Sequence, residues 1–114
     1  MNNLTGKKCV PCTGGVKPLR GEAICLLSGH ISTGWKVIDE NRLERDFNFI
    51  DFAEALAFVN KVGALAEAEK HHPDILLSWG KVKITLYTHK INGLHENDFI
   101  LAAKIDTLMP GSGI

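Results

Sequence analysis

Residues 52 to 66 carry the periodicity that most restricts what this chain can fold into. Phe52, Leu56, Val59, Gly63 and Ala66 recur at three- and four-residue steps, and Ala55, Val62 and Leu65 widen the stripe, the pattern of a long amphipathic helix. Asp51 is the expected N-cap, and Glu54, three residues on, is placed to close a capping box. Pro73 restricts His72 away from the helical region, so the helix is predicted to end at Lys70 or His71. Gly63, Ala64, Ala66 and Ala68 let it lie close to a sheet or another helix.

Strands are expected on either side of it. Gly34 to Ile38 and Arg42 to Phe49 flank the polar Asp39-Glu40-Asn41 and read as a hairpin. Leu43, Arg45, Phe47 and Phe49 share one parity, with Arg45 interrupting an otherwise apolar face. Asp74 to Ser78 reads as a strand, Trp79-Gly80 as a turn, and Lys81 to Thr88 as a second strand with Val82, Ile84 and Leu86 on one face. If that strand runs on regularly, Lys81, Lys83, Thr85, Tyr87 and His89 share the other face. Arg20 to Gly29 is compatible with a short helix. After the Asn92-Gly93 turn, Phe99, Ile100, Ala103 and Leu108 give a last helix stopped by Pro110-Gly111. Short turns within each strand pair imply an antiparallel sheet, and the helices must cover its apolar face. The expected fold is a two-layer α+β domain. Residues 1–18 read as an irregular arm rather than core, 19–109 as the domain and 110–114 as a tail.

At 114 residues the chain suits one domain, and 13 Lys plus Arg against 13 Asp plus Glu leave no net charge. A partner relying on global charge, such as nucleic acid or an anionic membrane, is disfavoured. No run reaches the roughly 18 to 20 apolar residues of a membrane span, and Met1 to Lys8 lacks the apolar core of a signal peptide. Cys9, Cys12 and Cys25 make a poor disulfide framework. A soluble protein in the reducing cytoplasm is expected.

Three of the five histidines, His71, His72 and His89, fall at the ends of the predicted long helix and last strand. Taken singly, each reads as an unremarkable cap or strand-end residue. Converging on one pocket, they suit proton transfer, because imidazole both gives and takes a proton near neutral pH. Zinc ranks below that reading, since adjacent histidines rarely point at one ion and no nearby cysteine completes a set. Cys9-Val10-Pro11-Cys12 is a lone pair on a Gly/Pro-rich segment, read first as silent, then as half of a metal or redox site. Gly111-Ser112-Gly113 is a tail rather than a phosphate cradle, because no helix follows it. Trp35 and Trp79 are each better read as core or interface than as stacking platforms, with Trp79 a candidate for partial exposure beside Gly80.

Glu67, His71-His72-Pro73, Trp79, His89 and Asp98 at their spacings resemble the motif of the pterin-4a-carbinolamine dehydratases. The likeness extends upstream through Gly34-Trp35 and Phe47 to Phe58 and downstream through Lys81 to Leu86 and Gly93-Leu94, covering nearly everything after Leu19. The resemblance implies a four-stranded antiparallel sheet with helices on one side. It also implies dehydration of 4a-hydroxytetrahydropterin to quinonoid dihydropterin, without metal, nucleotide or other cofactor. By resemblance His71, His72 and His89 are the catalytic trio, with His71 and His89 the acid/base pair and His72 mainly a binding residue. Glu67, Trp35 and Asp98 are the expected substrate-binding residues.

Three departures from the family pattern stand out: Lys70 where an acidic or polar residue is common, Ile75 where a Trp is frequent, and His95 in place of the Ser or Thr that opens the last helix. The last leaves Asp98 with half of a capping box and no usual partner. The family implies a homotetramer or homodimer and a functional link to an aromatic amino acid hydroxylase, with no direct nucleic acid or membrane contact. The alternative is a non-catalytic interaction module, after the family's second role as a dimerisation cofactor of a transcription factor.

Overall fold

A computed structural model describes residues 4–9 and 17–108 of the chain. The elements are α1 (Glu22–Ser28), β1 (Lys36–Ile38), β2 (Arg42–Asn48), α2 (Phe52–Glu69), β3 (Asp74–Leu77), β4 (Lys81–Leu86) and α3 (Glu96–Asp106), with 3-10 turns at Leu4–Gly6 and His89–Ile91. The four strands form one antiparallel sheet in the order β1-β2-β4-β3. This is the two-layer α+β architecture, and the strand order is the part that sequence reading left open.

Parity decides the inner face of the sheet. Leu43 and Phe47 of β2 and Val82, Ile84 and Leu86 of β4 are buried together, while the opposite face carries polar pairs such as Asp46 across from Lys83. Arg45, the misfit on the apolar face, is accommodated by a partly buried acceptor. Its Nη1 lies 2.6 Å from Asp106 Oδ1, and its guanidinium carbon sits 4.4 Å from the centre of the Phe47 ring. Trp35 Nε1 donates to the same Asp106 oxygen at 2.8 Å. Burial pushes the Asp106 carboxyl up, against the lowering pull of Trp35, the Ser32 amide and Arg45. A Cβ at Gly34 would stand 2.7 Å from Arg45 Nε, so any other residue there requires the Arg45 side chain to shift.

α2 starts as expected, with the Asp51 side chain accepting from the Glu54 amide at 2.9 Å. Its buried arc, however, is Ala55, Phe58, Val62 and Ala66, whereas Phe52 and Leu56 are 43% and 40% exposed. An alanine-rich helix is apolar over most of its circumference, so periodicity alone does not choose the inward arc. The aromatic rings do: Phe58 lies 4.7 Å from Phe47 and 5.2 Å from Phe49 between ring centres.

α3 is buried from Asn97 to Ala103 and again at Ile105, because α2 packs on one side of it while α1 and the Leu4–Gly6 turn pack against it as well. It ends at Asp106, so Leu108 lies beyond it, and Pro110-Gly111 falls outside the described residues. The N-terminal segment differs from an arm without a core role: Leu4 is 2% exposed and belongs to the central apolar cluster. Among the described residues no helix is long and apolar enough to cross a membrane.

Truncating the ring that selects the inward arc is expected to be costly. Phe58→Ala should lower unfolding free energy by about 3–5 kcal/mol in denaturant titration, whereas Phe52→Ala should lower it far less; comparable losses would contradict this packing.

Candidate active site

The end of α2 turns the histidine pair out of the helix. Lys70 adopts the left-handed conformation (φ 56°, ψ 37°), and the amides of Lys70 and His71 both reach Ala66 O. This reversal aims His71 at the start of α3, where its Nε2 lies 2.5 Å from Asp98 Oδ1. Asp98 is fully buried. Its other oxygen accepts from Thr88 Oγ1 at 2.9 Å and from the His95 amide at 3.0 Å. A carboxylate only accepts, so His71 Nε2 carries the proton and Nδ1 is the basic position of the neutral ring.

His95 corrects the expectation of a half-formed cap. Its Nδ1 accepts from the Asn97 amide at 3.0 Å while Asp98 accepts from the His95 amide, so the box is reciprocal. An unprotonated imidazole nitrogen takes the place of the usual hydroxyl oxygen.

His89 does not continue β4, which ends at Leu86. Thr88 instead forms an isolated bridge with Gly93, Asn92 closes the turn at φ 49°, and His89 opens the intervening 3-10 turn. Its ring stacks 4.2 Å from Tyr87. The regular strand that would have set His89 by parity stops short of it, where Thr88 turns inward to Asp98. His72 is exposed, with Nε2 bonded to the exposed Glu67 carboxylate, a pairing worth about 0–1 kcal/mol.

His71, His72 and His89 line one cavity of 470 Å³ together with Thr88 and Asn97, a volume within the usual ligand range. Asp98 lies beneath His71, and Glu67 reaches the site through His72. Trp35 is not brought there: it is buried, held by Asp106 and packed edge-on to Phe47. Trp79 is 68% exposed at the β3–β4 turn.

Sequence reasoning missed Glu69 and the arm. Lys8 and Cys9 line the cavity, held by Glu69, which accepts from the Cys9 amide at 2.9 Å and from Lys104 Nζ at 2.6 Å. The available signal was that Glu69 continues the buried series Ala55, Phe58, Val62, Ala66 by three residues. Burial pulls the Glu69 carboxyl up, but the Cys9 amide and the Lys104 ammonium outweigh it and hold the group below the ordinary glutamate range. Burial, reinforced by the Glu69 charge, pushes the Cys9 thiol up to about 12, so at neutral pH it is an inert thiol whose Sγ sits 3.6 Å from Asn97 O. Cys12 lies outside the described residues, so the Cys9-Cys12 reading is not addressed there. Among the described residues no group of three or more His, Cys, Asp and Glu is arranged to hold a metal ion.

Two outcomes follow from these contacts. Asp98→Ala leaves His71, Thr88 and the His95 amide without their acceptor and should cost on the order of 3 kcal/mol in chemical denaturation; a neutral result would remove Asp98 as the organiser. Because the folded Glu69 carboxyl is depressed, its stabilisation is complete above the ordinary value of 4.5 and is lost as pH falls through the lower folded value. An acid titration of stability should therefore lose that component in Glu69→Gln, and unchanged pH dependence would contradict the contact.

The family model described as "Pterin 4 alpha carbinolamine dehydratase" matches residues 18–108. A relative from Alkaliphilus metalliredigens (strain QYMF) is 57% identical over 106 residues, covering 93% of this chain and 96% of its own. One from Rubrobacter xylanophilus is 55% identical over 108 residues, covering 95% and 100%. Both carry the name "Putative pterin-4-alpha-carbinolamine dehydratase". Among solved structures, a transcriptional coactivator/pterin dehydratase from Brucella melitensis superposes with a TM-score of 0.76 at 28% identity, covering 82% of this chain and 100% of its own. A pterin dehydratase-like RuBisCO assembly factor of the alpha-carboxysome gives 0.57 at 28% identity, covering 66% and 88%. With its fold, its histidine cavity and a family match over most of its length in agreement, the chain belongs to the pterin 4 alpha carbinolamine dehydratase family.

Proposed function

We propose that the protein dehydrates 4a-hydroxytetrahydropterin to quinonoid dihydropterin, serving tetrahydropterin recycling by histidine acid/base catalysis. The carrying observation is the partly buried His71, bonded to the buried Asp98 at the wall of a cavity that His89 and His72 also line. The reaction needs one proton delivered to the departing 4a-hydroxyl and one removed from N5. With its Nε2 proton engaged by Asp98, His71 has Nδ1 available as the base for N5, and the ion pair stabilises the imidazolium that forms. His89, which lines the same cavity, delivers the proton to the hydroxyl. His72, tied to Glu67, binds substrate. Each positioned acid or base is expected to contribute about 10²–10⁴-fold.

The chain is further proposed to act in the cytoplasm as a homodimer or homotetramer, linked to an aromatic amino acid hydroxylase that supplies the substrate. The second reading is a non-catalytic interaction module, favoured by the two structural neighbours, one described as a transcriptional coactivator and the other as an assembly factor.

Following the ultraviolet signal of 4a-hydroxytetrahydropterin, generated in situ and corrected for its spontaneous loss, tests the proposal. Acceleration by the protein that disappears in the His71→Ala, His89→Ala double variant is expected. A folded wild-type protein that gives no acceleration would shift the assignment to the interaction module.

A further inference from the structure

Three lysines, Lys8, Lys70 and Lys90, line the mouth of the histidine cavity. They come from separate segments: the arm, the C-terminal cap of α2 and the turn after β4. All three are exposed, and none takes part in an ion pair among the described residues. The acids nearby are already engaged. Glu69 is 8% exposed and held by Lys104 and the Cys9 amide, Glu67 is paired with His72, and Asp98 is buried under His71. With the imidazoles counted as neutral, Lys8, Lys70, Lys90 and Lys104 stand against Glu67, Glu69 and Asp98, an excess of positive charge around the cavity in a chain whose net charge is zero. An excess of one sign around a concave site concentrates the field on whatever enters it.

The backbone places two of these residues there. Lys70 occupies a left-handed helix cap at φ 56°, a position where glycine is favoured and a lysine is strained. Lys8 is placed by the docking of Leu4 in the core, by the Lys7 to Glu96 ion pair at 2.7 Å and by the Cys9 amide on Glu69. Removing a hydroxyl from C4a of an uncharged pterin calls on none of the three.

We infer that the cavity takes a pterin whose side chain bears an anion, phosphate or carboxylate, which Lys8, Lys70 and Lys90 hold at the mouth while His71 and His89 face the ring. This rests on the dehydratase reading for the ring and extends it to the side chain.

Calorimetric titration of the full chain with 7,8-dihydroneopterin, its 3′-monophosphate and 7,8-dihydrofolate separates the cases. The monophosphate should bind about tenfold tighter than the neutral pterin at low salt, since each exposed contact adds little alone. The advantage should shrink towards parity at about 1 M salt, where the screening length is roughly 3 Å. A gain confined to the monophosphate identifies phosphate as the anion, a gain confined to dihydrofolate identifies a carboxylate, and a shared gain shows that the lysines take either. In the Lys8→Ala, Lys70→Ala, Lys90→Ala variant the ratio should fall to about one. Lys70→Gly removes an ammonium while relieving the backbone, so a reduced preference in a variant at least as stable as wild type excludes unfolding as the cause. Equal affinities for the neutral and both anionic pterins, or a preference that survives the triple substitution, would overturn the inference and leave the dehydratase reading standing. Failure of all three pterins to bind would overturn both.

Discussion

The buried Asp98 carboxylate joins three chain segments that are otherwise independent. It accepts from Thr88 just beyond β4, from the His95 amide at the start of α3, and from His71 just beyond α2. A charge this far from water is tolerable only with its lone pairs engaged. It also stands at the positive end of α3, where the helix dipole favours it. The acid that caps the central helix therefore also fixes the tautomer of His71, so that fold and candidate chemistry share one contact.

Around this point the structure separates rigid from exposed groups. His71 is held, whereas His72 and His89 stand at the rim with Glu67 and Tyr87 as neighbours. The difference follows from the two elements that end there: α2 closes with a left-handed residue that swings His71 inward, and β4 gives way to a tight turn that leaves His89 outside. The second polar knot, Arg45 with Asp106 and Trp35, lies away from the cavity and ties β2 and the loop before β1 to the end of α3. It explains why a charged residue interrupts the apolar parity of β2 and why Trp35 is turned into the core and away from this cavity.

Glu69 and Lys104 bring the N-terminal segment into the same assembly. Glu69 is the last residue of α2, two positions before His71, and its carboxylate orders the Cys9 amide and with it Lys8 at the cavity mouth. Residues 4–9 are thus tied to the site by the buried Leu4, the Lys7 to Glu96 ion pair and the Cys9 amide on Glu69.

Local chemistry was legible in the amino-acid order. Asp51 as a cap, Pro73 as a terminator, the alternation of Val82, Ile84 and Leu86, and the spacing of the three histidines and Asp98 each depend on neighbours within a few residues or on a fixed motif, and these determined the elements, the α+β class and the family resemblance. Tertiary structure alone decided the rest. Which arc of α2 faces inward was chosen by rings on β2 and the segment after it, because an alanine-rich helix has several apolar arcs of similar value. The placement of His89, the capping role of His95 and the docking of Cys9 on Glu69 each depend on a partner far along the chain. Hydrogen-bond satisfaction of buried groups is a property of the assembled interior, and no periodicity in the sequence records it.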